Sequence, residues 1–263
     1  ILLCHKSHVS PAHLTVVCVY YSLPLSSLFP SLLPCFVCPV HSQSSSSPSD
    51  PSLFPCSFLR SFLRSFEAVY GPVTEWRILA LLPAYLERSG SSLVYMAEQL
   101  IRRTADPLSG TYLYQYERLA EVLRLSEAEG KKTLLLGVTF ALLDLAEQHP
   151  MPLRHTTIME TGGMKGRRAE LTRPEVHDIL TRAFHVSAIH SEYGMTELLS
   201  QAYSKGDGIF ETPPWMMVLK RDIYDPLYTS EKPGRGGLNV IDLANIHSCS
   251  FIATQDLVQL RDD

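Results

Sequence analysis

The sequence predicts an α/β fold: a mostly parallel sheet with flanking helices, followed by a strand-rich segment. Three observations carry this prediction. From about residue 66, short apolar runs alternate with segments whose apolar residues recur at helical spacing. Two of those runs end in glycine-bearing turns, "ETGG" and "SEYG". From residue 208 the helical spacing gives way to runs of strand character. Alternating strands and helices of this length build parallel sheets, whose ligand sites lie at the carboxyl ends of the strands. Both glycine-bearing ends are therefore expected on one rim.

The elements follow in order. "WRILALLPAY" is a short apolar run stopped by a proline, and "SSLVYMAEQLIRRT" is a helix with serine at its N-cap. "YERLAEVLRLSEAEG" is an amphipathic helix closed by Gly130, and "KKTLLLGV" is a buried strand. "TFALLDLAEQH" is a helix, "TTIMETGG" a strand, and "TRPEVHDILTRAF" a helix with threonine and proline at its start. "VSAIHSEYG" is again a strand, and a helix after its glycine is the ordinary continuation of such a turn. "IFETPPWMMVLKRDI", "GGLNVIDLA" and "CSFIATQDL" are strands, with the charged, glycine-rich "DPLYTSEKPGRGG" as a solvated turn between the first two.

Residues 1 to about 58 have a foreign composition, rich in Ser, Pro, Leu and Cys, with Lys6 and Asp50 as the only formal charges. The tract "HSQSSSSPSD" buries no apolar surface, so this part is expected to be irregular and low in complexity. Prolines 24, 30 and 34 interrupt its apolar run well short of the roughly 20 residues that span a bilayer, so no membrane span is expected. Five of the six cysteines lie in this part (Cys4, Cys18, Cys35, Cys38, Cys56). Cys35-x-x-Cys38 with His41 lacks the second cysteine pair of a zinc finger, so it carries no metal assignment. "SFLRSFLRSF" repeats itself, which reads as a short duplication at the join of two unlike segments. The formal net charge of -4, without a basic stripe, argues against nucleic-acid binding.

Three stretches carry a resemblance. "METGGMKG" (159 to 166), "SEYGMTE" (191 to 197) and "ATQD" (253 to 256) resemble, in order and separation, the nucleotide-binding motifs of adenylate-forming enzymes. "ETGGMKGRR", "SEYGMTELLSQAY" and "NIHSCSFIATQDL" are similar to the bacterial acyl-protein synthetase family, which activates fatty acids in the luciferase-associated fatty acid reductase. The resemblance spans roughly residues 66 to 263. It implies the N-terminal domain fold of adenylate-forming enzymes and the use of ATP and Mg2+. It further implies activation of a long-chain fatty acid to an acyl-adenylate, and transfer of the acyl group to a protein thiol in the cytoplasm.

Each site residue follows from that resemblance. Tyr193 would lie beside the adenine, with Gly162 and Gly163 as a side-chain-free wall, and Gly194 would let the backbone approach the ligand. Thr196 would donate its hydroxyl to the α-phosphate, Glu197 would hold magnesium, and Asp256 would accept from the ribose hydroxyls. Thr196 and Glu197 are the catalytic pair. The expected partners are a small-molecule acyl substrate and a protein acyl acceptor or reductase. Two other readings stand beside this one: an aryl- or acyl-CoA ligase of the phenylacetate type, and a non-catalytic scaffold that keeps the fold.

The chain lacks the family's glycine-bearing phosphate loop and the hinge and small C-terminal domain, so residues 59–263 are read as a partial AMP-binding domain. Cys249 reads as inert strand packing, Lys165, Arg167 and Arg168 as a basic surface loop, and His185 and His190 as ordinary histidines flanking a strand.

Overall fold

The computed structural model describes the backbone of residues 2–6, 14–18, 53–57 and 262, and the whole of residues 58–83, 91–162 and 171–261. Its core is a run of parallel strands. β3 (Arg77–Leu81), β5 (Thr133–Gly137), β6 (Thr156–Glu160) and β7 (His190–Tyr193) lie side by side in the spatial order β7-β6-β5-β3. The two-residue β4 (Gly110–Thr111) extends them beyond β3. Every residue of β3 and β5 is buried. Continuous apolar strands of this kind belong to parallel sheets covered on both faces.

The helices form where the sequence places their signals. α2 (Ser92–Thr104) starts at Ser91, whose side chain accepts from the Val94 amide at 3.4 Å. α3 (Tyr116–Glu129) stops at Gly130, which takes φ +64°. That left-handed geometry is natural for glycine at a helix end. α4 (Thr139–Gln148) follows β5 directly, and α5 (Arg173–Phe184) opens with a capping box between Thr172 and Glu175. α4 packs against α5, and the buried faces of α2 to α5 join the parallel strands in one cluster.

A helix absent from the sequence reading precedes all of these. α1 (Leu53–Tyr70) takes in the whole of "SFLRSFLRSF". Its repeat of four is close to the helical period, so Phe58, Phe62, Phe66 and Tyr70 fall on one stripe and are buried, while Arg60 and Arg64 face solvent. Ser61 and Ser65 are buried on the same side, and Ser65 donates to the Ser61 carbonyl at 2.9 Å. Upstream of residue 53 only β1 (Leu2–Lys6) and β2 (Leu14–Cys18) are described, so Cys35, Cys38, His41 and the serine tract lie outside the described residues.

Beyond β7 the sheet turns antiparallel, through β8 (Ala202–Ser204) and β9 (Ile209–Glu211). β10 (Met216–Arg221), β12 (Gly234–Asp242) and β13 (Phe251–Asp262) form an antiparallel meander, with the short β11 (Thr229–Ser230) on its edge. In the strand order β1 and β2 stand between β13 and β9. The strand expected over "IFETPPWMMVLKRDI" is thus two strands, separated at Pro213 and Pro214, which have no amide to donate to a ladder. The turn around "DPLYTSEK" is solvated as expected, with Tyr224 95% exposed. Among the described residues no helix is long and apolar enough to cross a membrane.

Candidate functional site

β6 and β7 pair in parallel with Glu160 opposite Ser191, and β5 pairs with β6 so that Gly137 stands opposite Glu160. Three strands therefore end together, and the turns of "ETGG" and "SEYG" share one rim.

Gly162 takes φ +75°, a left-handed conformation that favours glycine, and a Cβ placed there would meet nothing within 4 Å among the described residues. Gly194 differs: its φ is ordinary, but a Cβ would fall 2.4 Å from the Glu192 Oε1 atom and 3.4 Å from Gln201. Backbone geometry calls for glycine at the first position, whereas at the second the close neighbour is the movable end of the Glu192 side chain. Gly163, Lys165, Arg167 and Arg168 lie outside the described residues.

No helix follows Gly194. Thr196 and Glu197 occupy a turn closed by the Leu198 amide on the Met195 carbonyl at 3.1 Å, and the chain then runs straight into β8. Three amino-acid types account for the difference from a helix start: the segment after the turn is seized by side chains from elsewhere. Asp242, fully buried, accepts from the Leu199 and Ser200 amides at 2.9 and 3.0 Å, from the Ser200 hydroxyl at 2.7 Å and from the Ala244 amide at 3.0 Å. Asn245 donates to the Glu197 carbonyl at 2.6 Å. Trp215 donates its indole N–H to the hydroxyls of Ser61 and Ser200, at 3.0 and 2.9 Å. The turn leaves Thr196 exposed and Glu197 half-buried.

The structure brings Tyr193 and Asp256 together across 63 residues, the tyrosine hydroxyl donating to Asp256 Oδ2 at 2.7 Å. The tyrosine ring is buried, edge-on to Phe210 at 6.2 Å between centroids, within the apolar cluster of the antiparallel strands. It reaches Asp256 through its hydroxyl while its faces are covered. Asp256 is half-buried.

Beneath the rim lies a polar cluster. Glu160, 3% exposed, has Arg173 Nε at 3.1 Å, Ser191 Oγ at 2.8 Å and His177 Nε2 at 3.7 Å from its Oε1 atom. The Gly162 amide and the Thr139 hydroxyl donate to Oε2 at 2.7 and 3.2 Å. Burial alone would raise this carboxyl, but His177, Arg173 and Ser191 together hold it down at about 2. Arg173 also sits 5.3 Å from the centre of the Phe210 ring. None of these residues stands out in the sequence except by adjacency, Glu160 and Ser191 being hidden inside the two motifs. Arg173 and His177 carry a faint signal, four residues apart on one helix face.

Glu192 behaves in the opposite way. Burial, reinforced by the nearby Glu160 carboxylate, lifts its carboxyl to about 8. A raised carboxyl contributes stability that is present below its ordinary value of 4.5 and is lost as pH climbs towards 8. Glu192→Gln is therefore expected to stabilise the chain at pH 8 by on the order of 2 kcal/mol and to change little at pH 4.5. Partial exposure of the side chain keeps the gain below its dry limit. Urea midpoints at the two pH values check this, and an equal change at both counts against it.

His190 is driven down to about 4, by burial first and then by Lys205 and His177, and its Nδ1 shares a hydrogen bond with the Tyr70 hydroxyl at 3.1 Å. His185 caps α5 in a left-handed conformation. Cys249 lies in the turn before β13 rather than within the strand, and its thiol donates to the Phe251 carbonyl at 3.3 Å.

No protein-family model matches this chain, and no curated protein sequence does. A solved structure does: a 2-hydroxyisobutyryl-CoA ligase in the postadenylation state, in complex with R3-HIB-AMP, with a TM-score of 0.52 at 14% identity. The fold is that of an adenylate-forming enzyme domain. The match covers 76% of this chain and 42% of the ligase, so the chain spans less than half the length of the protein whose fold it shares.

A metal ion and a nucleotide each make definite demands on the side chains around them. Magnesium is a hard cation that takes one or two carboxylates and completes its shell with water and phosphate. The Glu197 carboxylate, half-buried and without a side-chain partner among the described residues, fits that need. The described residues contain no cluster of three or more metal-ligating side chains, so any further ligands must come from the nucleotide and water. For a nucleotide, the side of Gly162 left clear by the described residues and the remaining oxygen of Asp256 are compatible with a flat base and a ribose.

Proposed function

We propose that this chain is the nucleotide-binding part of an ATP-dependent acid-activating ligase. One observation supports the reading most directly. The Tyr193–Asp256 hydrogen bond unites "SEYGMTE" and "ATQD" at the rim where Glu160 joins "ETGG" to β7. Three motifs that are separate in sequence converge on one place.

In the proposed reaction a carboxylate oxygen of the acid bonds to the α-phosphorus of ATP, the α–β phosphoanhydride bond breaks, and pyrophosphate leaves. A thiolate then attacks the acyl carbon and AMP leaves. The acid is a long-chain fatty acid and the acceptor a protein thiol. Both partners in the first step are anionic, so the site must contribute placement and charge stabilisation more than covalent chemistry. Magnesium bound at Glu197 supplies charge neutralisation on the phosphates. Thr196, exposed in its turn, donates to the α-phosphate. Gly162 and Gly163 form the wall beside the adenine, and Gly194 keeps the approach free of side chain. Asp256 accepts from the ribose, and Tyr193, buried behind the adenine, holds Asp256 in the accepting orientation. The setting is the cytoplasm, and the protein partner is an acyl acceptor or a reductase.

A coenzyme A acceptor is the second reading, favoured by the name of the solved ligase with this fold. ATP–pyrophosphate exchange by the protein that carries these residues, across a panel of fatty and aryl acids, tests the first step. Exchange with long-chain acids is expected. Its absence with every acid would refute a ligase and leave a binding or scaffold role. Exchange followed by release of AMP on adding coenzyme A alone would give the second reading the acceptor step.

A further inference from the structure

We infer that Glu160 is a positioning residue of this rim: its buried carboxylate fixes the spacing of the three strand ends that carry the nucleotide wall. The inference rests on the nucleotide reading above for its ligand, and on geometry alone for the clamp.

The geometry is specific. Oε2 receives the amide of Gly162, the first residue of the wall, and the hydroxyl of Thr139, the first residue after β5 and Val138. Oε1 receives Ser191 of β7, two residues before Tyr193, and Arg173 from the first turn of α5. One side chain thus ties the segments following β5 and β6 to β7 and to the helix that leads into it. Because Tyr193 holds Asp256, the chain of bonds runs from Gly162 through Glu160, Ser191 and Tyr193 to the residue assigned to the ribose.

A carboxylate suits this place and an amide does not. Donors approach both oxygens, and a carboxylate has about four lone-pair sites, all accepting. A glutamine would turn its N–H group towards one pair of these donors; the Thr139 or Ser191 hydroxyl can rotate to accept from it, but the Gly162 amide or the Arg173 guanidinium would face another donor in a buried site. The bond to the Gly162 amide spans two residues and fixes the left-handed turn at its root. Glu160 touches neither substrate nor phosphate in this scheme. It acts through Gly162 and Tyr193.

Amide hydrogen exchange on the ligand-free chain, paired with equilibrium binding of a fluorescent methylanthraniloyl ATP, tests this. Glu160→Gln is expected to speed exchange at Gly162 and at 190–193 at least tenfold while leaving α2 and α3 unchanged, and to weaken nucleotide binding at least tenfold. Ser191→Ala, which removes one bond and keeps the ion pair, should move both readouts in the same direction by a smaller factor. It decides the matter if the first variant fails to fold. Unchanged exchange at Gly162 and 190–193 in a folded variant overturns the clamp, whatever the nucleotide does. Failure of the unaltered chain to bind nucleotide overturns the nucleotide reading, and the exchange arm still decides the clamp.

Discussion

Replacing Asp242 with alanine is expected to destabilise the chain by about 3–5 kcal/mol, one of the largest single effects available in it. The side chain is fully buried, and its two oxygens accept four hydrogen bonds, three of them from backbone amides. Truncation leaves those three amides without a partner, while the Ser200 hydroxyl keeps Trp215 and Ser61, and each buried orphan costs roughly 1–3 kcal/mol before any relaxation. Urea unfolding checks the value. A loss below about 1 kcal/mol would mean that water enters and replaces the carboxyl. The same substitution should loosen the segment after Glu197, because Leu199 and Ser200 lose the side chain that pulls them out of a helical path. A helix after Gly194 is what the local sequence would otherwise form.

Glu197→Gln is expected to lower magnesium-dependent ATP–pyrophosphate exchange by at least a hundredfold, about 2.7 kcal/mol of transition-state stabilisation. The amide keeps the shape and one acceptor oxygen but loses the charge that a hard divalent cation needs. Stability should change little, since the side chain is half-buried and its carboxylate meets no partner among the described residues. The anchor at this position is the backbone carbonyl, held by Asn245. Exchange measured against magnesium concentration separates the outcomes. A curve shifted to higher magnesium supports a ligand role, whereas unchanged exchange removes Glu197 from the site.

The parallel strands and α2 to α5 were legible because each carries a local signal: a buried apolar run, a capping serine or threonine, a terminal glycine. In α1, "SFLRSFLRSF" looks like a duplication before it looks like a helical period. Its repeat of four is what buries Phe58, Phe62 and Phe66 on one stripe. β8 carries only three residues and exists because β7 and β9 flank it, a condition no window of sequence contains. Pro213 and Pro214 were visible, yet the run around them read as one strand. The glycine turns and the motif residues were legible for the same local reason as the helices. The polar cluster was not, because Thr139, Glu160, Arg173, His177 and Ser191 come from four elements and are individually ordinary. Asp242 and Asn245 reach the motif turn from more than 40 residues away.

The hydrogen bonds of Trp215 have a spectroscopic consequence. The chain has two tryptophans, Trp76 and Trp215. Trp76 is buried beside Tyr70 and Phe66 with the Lys132 ammonium 4.3 Å from its ring centre, a setting remote in sequence from the motif turn. Trp215 shares its indole proton between Ser61 of α1 and Ser200, three residues past Glu197. Indole emission depends on the polarity around that nitrogen, so any event that shifts the turn changes the colour of one fluorophore and spares the other. With Trp76 replaced by phenylalanine, the protein carries its own dye at the contact between α1 and the segment after the motif turn.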